Sequence, residues 1–182
     1  LATAQNFALA KDLSRHLLSQ ERADRPDGEP WMYLEGILGA DTYFLGADTS
    51  IQEFLETAAN RFHTIWTEAR SKRSDAQQVR HSQMALGDYE LLILASLVEE
   101  ETRVASEAGR IAGVFLNRLG KQMKLKSDPT AMYRSNRVGK QPSPMHTRDP
   151  SNPFNTYAHK GLPPGPICAP GPAAIAAVFS PE

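Results

Sequence analysis

The feature that most constrains this chain is a run of apolar residues that ends in three consecutive glutamates. The run begins at Tyr89 and reads YELLILASLV before the glutamates. Its apolar periodicity, with Asp88 as the N-cap, predicts a helix from Tyr89 to Thr102. Three side chains on the inner face of this helix should be buried, namely Leu91, Leu94 and Val98.

The three glutamates differ in how they face the core of such a helix. On a helical wheel the mean apolar direction lies roughly 50° from Glu101, roughly 110° from Glu99 and roughly 150° from Glu100. A carboxylic acid held against apolar walls has its ionised form disfavoured, as a general acid working near neutral pH requires. Glu101 is therefore a candidate proton donor. The alternative is that the triplet is a solvated surface cluster, because unpaired buried glutamates are rare.

Helices are also predicted before this run. Near the N-terminus, five residues recur at helical spacing, namely Leu9, Ala10, Leu13, Leu17 and Leu18. Another helix should start at Ser50, because Ser50 and Glu53 have the spacing of a capping box, and it should continue to about Arg70. Its predicted inner stripe consists of Ile51, Leu55, Ala58, Phe62, Ile65 and Trp66. The residues from Ser71 to Gln83 are polar and are interpreted as a connection.

After the glutamates the pattern changes from helix to a mixture of short segments. A helix should begin near Ser106, end at Gly120 and direct four side chains inward, namely Ile111, Val114, Phe115 and Leu119. Beyond it, MKLK at residues 123–126 alternates as a strand does, and prolines recur from Pro129 to Pro172. The predicted fold class is therefore α+β, with helices packed on a small irregular β region, lysozyme-like in general character.

Composition excludes several classes of function. Twenty basic and 21 acidic side chains leave a net charge of -1, so the basic surface that nucleic acids require is missing. One cysteine, Cys168, cannot form an internal disulfide, and five scattered histidines lack the spacing of a zinc site. No metal and no cofactor are expected. The 182 residues contain no apolar run of the roughly 20 residues that cross a bilayer, so we expect a soluble unit that is a piece of a longer protein.

Other polar side chains could serve chemistry or only structure. Asp128 could be a second carboxylate, although Asp-Pro-Thr is equally a turn signature. Asn117, Asn155 and Tyr157 could hydrogen-bond a sugar, whereas asparagine near a helix end or in a proline-rich loop is more often structural. The remaining loop histidines, His146 and His159, have no partners at useful spacing and are expected to be solvated.

The order and spacing of several short blocks resemble those of a known family. The blocks are LASLVEEET at residues 94–102, VASE at 104–107, VFLNRL at 114–119, MKLKSDPTAMY at 123–133, FNTY at 154–157 and GLPPGPI at 161–167. An earlier block, LEGILGADTY at 34–43, belongs to the same pattern. Together they resemble the endolytic murein transglycosylases of the MltG/YceG-like family over about residues 34–178. Six blocks in register are far more specific than a single short motif.

The resemblance implies a reaction and a set of residues. It implies cleavage of the β-1,4 bond between N-acetylmuramic acid and N-acetylglucosamine within glycan strands, which leaves a 1,6-anhydromuramyl end and consumes no water. The catalytic glutamate of the motif falls on Glu101, which precedes Thr102, and Glu99 is the other glutamate that matches. Substrate-facing groups of the family pattern fall on Asn117, Asp128, Thr130, Tyr133, Asn155, Thr156 and Tyr157.

The resemblance also sets expectations for the whole protein. Ala40 stands where relatives commonly have proline, which should loosen a turn and leave the chemistry in place. Family members usually carry an N-terminal membrane helix, a LysM-like module and a strand-rich C-terminal segment. We expect residues 1–30 to be a helical or linker remnant and residues 31–182 to be a YceG-like catalytic domain, truncated at its C-terminus. The implied location is the cell envelope, anchored at the outer face of the plasma membrane, with peptidoglycan strands and cell-wall synthases as partners.

Two further classes of function stay open from the sequence. A lysozyme-like muramidase would pair Glu101 with Asp128 or Glu99, at a carboxyl separation of about 5 to 5.5 Å if retaining and about 6.5 to 9.5 Å if inverting. A module that only binds glycan or a synthase would need no acid. In every catalytic version Glu101 should share a groove with Asn155, Tyr157 and part of residues 127–133.

Overall fold

The computed structural model of the protein describes residues 34–133 and 143–182. The helices of this part, in chain order, are α1 (Ile51–Ser71), α2 (Asp75–Gln83), α3 (Asp88–Glu101), a short 3₁₀ helix (Ala105–Glu107), α4 (Ala108–Gly120), α5 (Asp128–Met132), α6 (Pro144–Arg148) and α7 (Pro172–Phe179). The predicted helix at residues 9–18 lies outside the described residues. Within the described ranges, none of these helices is both long and apolar enough to cross a membrane.

Helix α3 is the centre of the fold. Tyr89 and every residue from Leu91 to Val98 are buried, and Leu91, Leu94 and Val98 have no exposed surface, as predicted. The helix is apolar on all sides, which is the pattern of a helix enclosed by others. Helices α4 and α7 pack against it, and α7 also packs on α1 and α4. The glutamates therefore lie where a fully enclosed helix emerges at the surface.

The start of α3 differs by one residue from the prediction. The N-cap is Gly87, and Asp88 is the first helical residue. The Glu90 carboxylate accepts a hydrogen bond from the Gly87 N–H at 3.0 Å, which satisfies one amide of the helix start. Asp88 instead forms an ion pair of 2.6 Å with Arg70 at the end of α1. The Asp88 carboxylate thus ties α1 to α3, and the prediction that it caps the helix was wrong.

Helix α1 begins as its capping box predicts. The Ser50 side chain accepts from the Glu53 N–H, and the Glu53 carboxylate accepts from the Ser50 N–H at 2.7 Å. Ile51 was predicted to join the inner stripe but is 66% exposed. The rest of the stripe is buried as predicted and meets α7, where the Trp66 and Phe179 rings pack edge to face with centroids 4.9 Å apart.

Two features of the neighbouring helices were not predicted from the sequence. The polar stretch after α1 contains a helix, α2, capped by the Ser74 side chain, which accepts from the Gln77 N–H. Its apolar content is so low that His81 is its only buried residue. On α4, Val114 is 44% exposed, although it was predicted to face inward. Phe115 takes the buried position, since residues adjacent in a helix point about 100° apart.

The predicted β region is not confirmed. Within residues 34–133 and 143–182 there is no strand, and residues 123–126 form an irregular segment. Leu125 in this segment is buried, but Met123, two residues earlier, is exposed, so the two apolar side chains do not share a face as they would in a strand. The Lys126 N–H donates to the Thr156 carbonyl at 3.2 Å, and the Arg118 guanidinium occupies the Leu125 carbonyl. One backbone hydrogen bond and one side-chain donor thus hold this segment in place of a strand ladder.

A tight turn joins the block at residues 34–43 to the core. Gly36 has φ of +83°, and a Cβ built there would lie 2.9 Å from the Pro166 Cβ and Cγ and 3.3 Å from the Leu92 side chain. Glycine is required here for both the backbone conformation and the close approach.

We expect Gly36→Ala to lower the free energy of unfolding by about 1 to 3 kcal/mol, because it combines a left-handed φ with a steric overlap. Urea unfolding of the chain measures this change. Gly46→Ala is the matched control, since its nearest neighbour would be at 3.6 Å and its φ is not positive. Equal losses in the two variants would contradict the role given to Gly36.

The buried imidazole of His81 makes stability depend on pH. Only 1% of its surface is exposed, and neither ring nitrogen has a hydrogen-bond partner. Burial, with smaller contributions from the charges of Arg73 and Arg80, lowers the pKa of His81 from 6.5 to about 4. In the unfolded chain His81 therefore binds a proton below about pH 6.5, whereas in the folded chain it binds one only below about pH 4.

Above pH 6.5, we expect the titration of His81 to leave the free energy of unfolding unchanged. As the pH drops from 6.5 to 4, this group should lower the free energy of unfolding by about 3 kcal/mol in total. Urea unfolding of the wild-type chain and of His81→Leu across this range measures the difference in slope. His63→Gln, a change at an exposed histidine, should keep the wild-type slope. A His81→Leu profile as steep as the wild-type profile would refute the assignment.

Candidate active site

The three glutamates at the end of α3 have different surroundings. Glu100 is exposed, whereas Glu99 and Glu101 are half-buried. The Glu99 Oε2 accepts a hydrogen bond from the Gly171 N–H at 3.0 Å, at the N-terminus of α7. Carboxylates are stabilised at helix N-termini, so Glu99 latches α7 onto α3. The prediction that Glu100 points furthest from the core is confirmed.

Glu101 is held by a different part of the chain. Its Oε1 accepts a hydrogen bond of 2.7 Å from the hydroxyl of Ser127, which immediately precedes α5. Thr102 ends the helix, and its hydroxyl donates to the Val98 carbonyl at 2.5 Å. The Glu101 carboxyl group is therefore held by the loop that leads into α5, while the Thr102 hydroxyl closes the end of the helix that carries it.

A buried network of hydroxyl groups stands behind Ser127. The Ser127 N–H donates to the Thr156 Oγ1 at 2.9 Å, and the Thr130 hydroxyl donates to the Ser127 carbonyl at 2.6 Å. The two threonine hydroxyls are 2.8 Å apart. All three residues are buried. The network joins the FNTY block to the SDPT block and, through Ser127, to Glu101, so these three distant blocks meet, while the groove they should line stays a prediction.

A tyrosine and an aspartate form a second pair beside this network. The Tyr157 hydroxyl donates to the Asp128 Oδ1 at 2.5 Å, and both residues are half-buried. The hydrogen bond to Asp128 is the largest of the effects that raise the pKa of Tyr157 to about 12, and burial and the charges of Asp128 and Glu101 act in the same direction. Arg118 opposes them. Tyr157 therefore stays a hydroxyl group within the electrostatic reach of Glu101.

Asn155 is fully buried. Its amide donates to the carbonyls of His146, Thr147 and Asp149 at 3.0, 3.3 and 2.7 Å, and its Oδ1 accepts from the Tyr157 N–H at 3.0 Å. The prediction that Asn155 lines the groove was wrong, because all its polar atoms bind backbone. It clamps the loop that carries Tyr157 to α6. Thr130 and Thr156 are similarly enclosed by their mutual contacts.

The other sequence-predicted residues lie in separate settings. Tyr133 is half-buried and packs on Phe154, with ring centroids 4.5 Å apart. Asn117 is exposed on α4, and its Oδ1 accepts from the Arg80 guanidinium of α2 at 2.9 Å. The hydrogen bonds of the described residues do not connect Asn117 to the Glu101 network. Asp128, offered as either a carboxylate or a turn residue, begins α5 and also reaches Tyr157.

The loop histidines are not simply solvated. The His146 Nδ1 is 3.1 Å from the Ser143 N and 2.8 Å from its Oγ, which caps α6. The His159 Nε2 is 3.1 Å from the Pro150 carbonyl oxygen, and its ring is exposed. The expectation that neither has a partner was wrong, because Ser143 forms a capping box with His146 and a loop carbonyl contacts the exposed His159.

Ser127, the hydrogen-bond partner of Glu101, is the residue of this network that the sequence singled out least. It stands one position before the Asp-Pro-Thr turn, where an extended serine followed by a proline-containing helix start is ordinarily interpreted as an N-cap. Its side chain makes no cap hydrogen bond and turns to Glu101 instead. The nearest sequence signal was its membership of the block at 123–133.

The described part of the chain is thus a helical protein in which one oriented carboxyl group, at the end of a buried helix, adjoins a tyrosine–aspartate pair. Such a group is suited to general acid–base chemistry. The model of the YceG-like family matches residues 2–182. The chain belongs to this family.

Relatives and a solved structure agree with this assignment. The chain is 33% identical over 152 residues to an endolytic murein transglycosylase of Bacillus subtilis and 30% identical over 190 residues to one of Streptococcus pneumoniae, which cover 82% and 95% of the chain. A YceG-like protein of Listeria monocytogenes matches 98% of it with a TM-score of 0.77 and 25% identity. The chain spans only 39% and 32% of the two relatives and 55% of the Listeria chain.

We expect Asn155→Ala to lower the free energy of unfolding by about 2 kcal/mol, because it leaves three backbone carbonyls and the Tyr157 amide without the buried partner they share. Thermal or urea unfolding measures this loss. Asn117→Ala is the matched control, since this exposed residue makes one surface contact and should change stability by less than about 0.5 kcal/mol. A stable Asn155→Ala protein would return that residue to the list of groove residues.

Proposed function

We propose that this chain is the catalytic part of a lytic transglycosylase that cleaves the β-1,4 bond between N-acetylmuramic acid and N-acetylglucosamine within glycan strands. The observation that carries the proposal is the single carboxyl group of Glu101, oriented by Ser127 at the end of α3 and adjoined by Tyr157. The names of the Bacillus and Streptococcus relatives support it. The domain would comprise residues 31–182, with residues 1–30 as an N-terminal remnant.

The mechanism needs only one acid–base residue. Protonated Glu101 gives its proton to the glycosidic oxygen, the bond from that oxygen to C1 of the muramic ring breaks, and positive charge develops on the ring. The Glu101 carboxylate then takes the proton of the 6-hydroxyl of the same sugar as O6 bonds to C1. The acid is regenerated, the product carries a 1,6-anhydro bond, and no water is consumed.

Glu101 is preferred to its neighbours on three grounds. Glu99 already uses one oxygen of its carboxylate to hold the start of α7, which packs on α3. Glu100 is exposed to solvent, so it lacks the partly enclosed setting of Glu101. Glu101 is half-buried and is hydrogen-bonded through one oxygen, which leaves the second oxygen for a substrate.

Some of the remaining site residues are proposed to contact the glycan, and others to support the loops around it. Asp128, Tyr133 and Tyr157 are half-buried and are proposed to contact the glycan. Thr130 and Thr156 are buried and are proposed to support the loop that carries Ser127. For Asn117, a contact with glycan would require its side chain to leave Arg80.

The wider setting of the enzyme also remains a proposal. The family resemblance favours a cell-envelope protein held at the outer face of the plasma membrane, acting on peptidoglycan beside cell-wall synthases. It also favours a complete α+β domain in which the described helices pack on strands of a C-terminal segment.

We expect Glu101→Gln to lower the release of anhydromuropeptides from purified peptidoglycan by at least about 10²-fold, because the amide keeps the size of the side chain but has no titratable proton. Glu100→Gln, its matched neighbour, should stay near wild type. Glu99→Gln should cost far less than Glu101→Gln, because the amide oxygen can still accept from Gly171. Loss of activity in Glu99→Gln alone would mean that the other carboxylate is the acid.

The ends of the products separate the proposal from its alternatives. Mass spectrometry of the digest, made with a protein extended to the length of the relatives, should find new anhydro ends. New reducing ends would instead indicate a hydrolase in which Asp128 or Glu99 assists Glu101. Binding to peptidoglycan without new ends of either kind would indicate a glycan-binding module.

A further inference from the structure

The proton of each hydroxyl group behind Glu101 can be assigned from the distances. The Thr130 hydroxyl uses its one proton on the Ser127 carbonyl, at 2.6 Å. Its contact of 2.8 Å with the Thr156 hydroxyl therefore requires Thr156 to be the donor. The Thr156 oxygen in turn accepts from the Ser127 N–H at 2.9 Å, and the Thr156 N–H donates back to Thr130 at 3.2 Å. Each of these donor protons therefore has one assigned acceptor.

This arrangement fixes the backbone of Ser127, so its hydroxyl group can donate in only one direction. Its N–H and its carbonyl are both held by threonine hydroxyls, so the backbone cannot turn. The residue is 1% exposed, which keeps bulk water away from its hydroxyl. Among the described residues, the acceptor that the geometry gives this hydroxyl is the Glu101 Oε1, at 2.7 Å. The Ser127 proton is therefore directed at one particular oxygen of the acid.

We propose that Ser127 is a positioning residue that keeps the Glu101 Oε1 as a hydrogen-bond acceptor, so that the proton exchanged with the sugar is carried by Oε2. This inference rests on the proposed function and adds to it the choice between the two oxygens. If Oε1 carried the proton, it would face the Ser127 hydroxyl proton and one of the two would lose its acceptor.

The proposal accounts for both halves of the reaction. In the acid form, the Oε2–H bond breaks as the glycosidic oxygen gains the proton, and the electron pair stays on the carboxylate. The Ser127 hydrogen bond strengthens at that moment, because its acceptor has become ionised. In the second half, Oε2 receives the proton of the 6-hydroxyl while Ser127 keeps its place. The hydroxyl thus stabilises the carboxylate between the two transfers and transfers no proton itself.

A pair of variants with the same shape tests this role. Ser127→Thr keeps the hydroxyl and adds a methyl group, whereas Ser127→Val has the same size as the threonine but no hydroxyl. Both are measured in a protein extended to the length of the relatives, with purified peptidoglycan as substrate. We expect kcat of Ser127→Val to be roughly 10- to 100-fold below that of Ser127→Thr, with KM unchanged, as the loss of a hydrogen bond to a charged group predicts.

The pH profile adds a readout that a purely structural role would not change. Removal of a donor that favours the ionised carboxyl should move the profile of kcat for Ser127→Val to higher pH than that for Ser127→Thr. If the added methyl group prevents folding, Ser127→Ala, which only removes the hydroxyl, takes the place of the valine variant. Its kcat should fall and its pH profile should move in the same way, relative to the wild-type protein. The control is Ser96→Ala, which removes a buried hydroxyl of α3 that donates to the Ile93 carbonyl and should lower Tm without moving kcat or the profile.

Each outcome decides the proposal. Equal kcat and equal pH profiles in the threonine and valine variants, with anhydro products formed, would overturn the role of Ser127 and leave the lytic reaction intact. A rise in KM with unchanged kcat would mean that Ser127 touches the glycan instead, which also overturns it. Absence of anhydro ends from the wild-type protein, or full activity of Glu101→Gln, would overturn the proposed function and this inference with it.

Discussion

The enclosure of α3 is the constraint on which the rest of the structure depends. Helices α4 and α7 pack against it, and every residue from Leu91 to Val98 is buried. A helix of this kind must end abruptly where it reaches water, and here it ends on three carboxylates. The C-terminal end of a helix carries partial negative charge, so ionised carboxylates are unfavourable there unless donors compensate. The Ser127 hydroxyl and the Gly171 amide are such donors.

These two donors come from different parts of the chain, and this separation gives the glutamates different tasks. Glu99 binds backbone at the start of a helix that is itself part of the core, so its charge serves packing. Glu101 binds a side chain whose own loop is fixed by buried threonines. A hydroxyl donor leaves one carboxyl oxygen available, and the neighbouring Tyr157 stays protonated because Asp128 raises its pKa. The arrangement combines one oriented carboxyl group with a neutral hydroxyl nearby.

The sequence predicted those parts of the fold in which local patterns and burial agree. The capping box of α1 and the apolar phase of α3 each placed an element and its buried side chains within a residue or two. Elsewhere the predictions failed, either because a local cap was overlooked or because the deciding contacts are distant in sequence. Ser74 caps a helix of polar residues 75–83, residues 123–126 form no strand, and Asn155 turns inward to loop carbonyls. For the site, helical phase selected Glu101, whereas no local pattern pointed to its partner Ser127.

The latch between Glu99 and Gly171 also bears on how the protein is made. The inner face of α3 needs α7 to cover it, and about 70 residues separate the two contacting positions in the chain. A ribosome adding about 5 to 20 residues per second completes α7 several seconds after α3. During that interval α3 has no cover from α7, and the Glu99 carboxylate has not yet met the Gly171 amide.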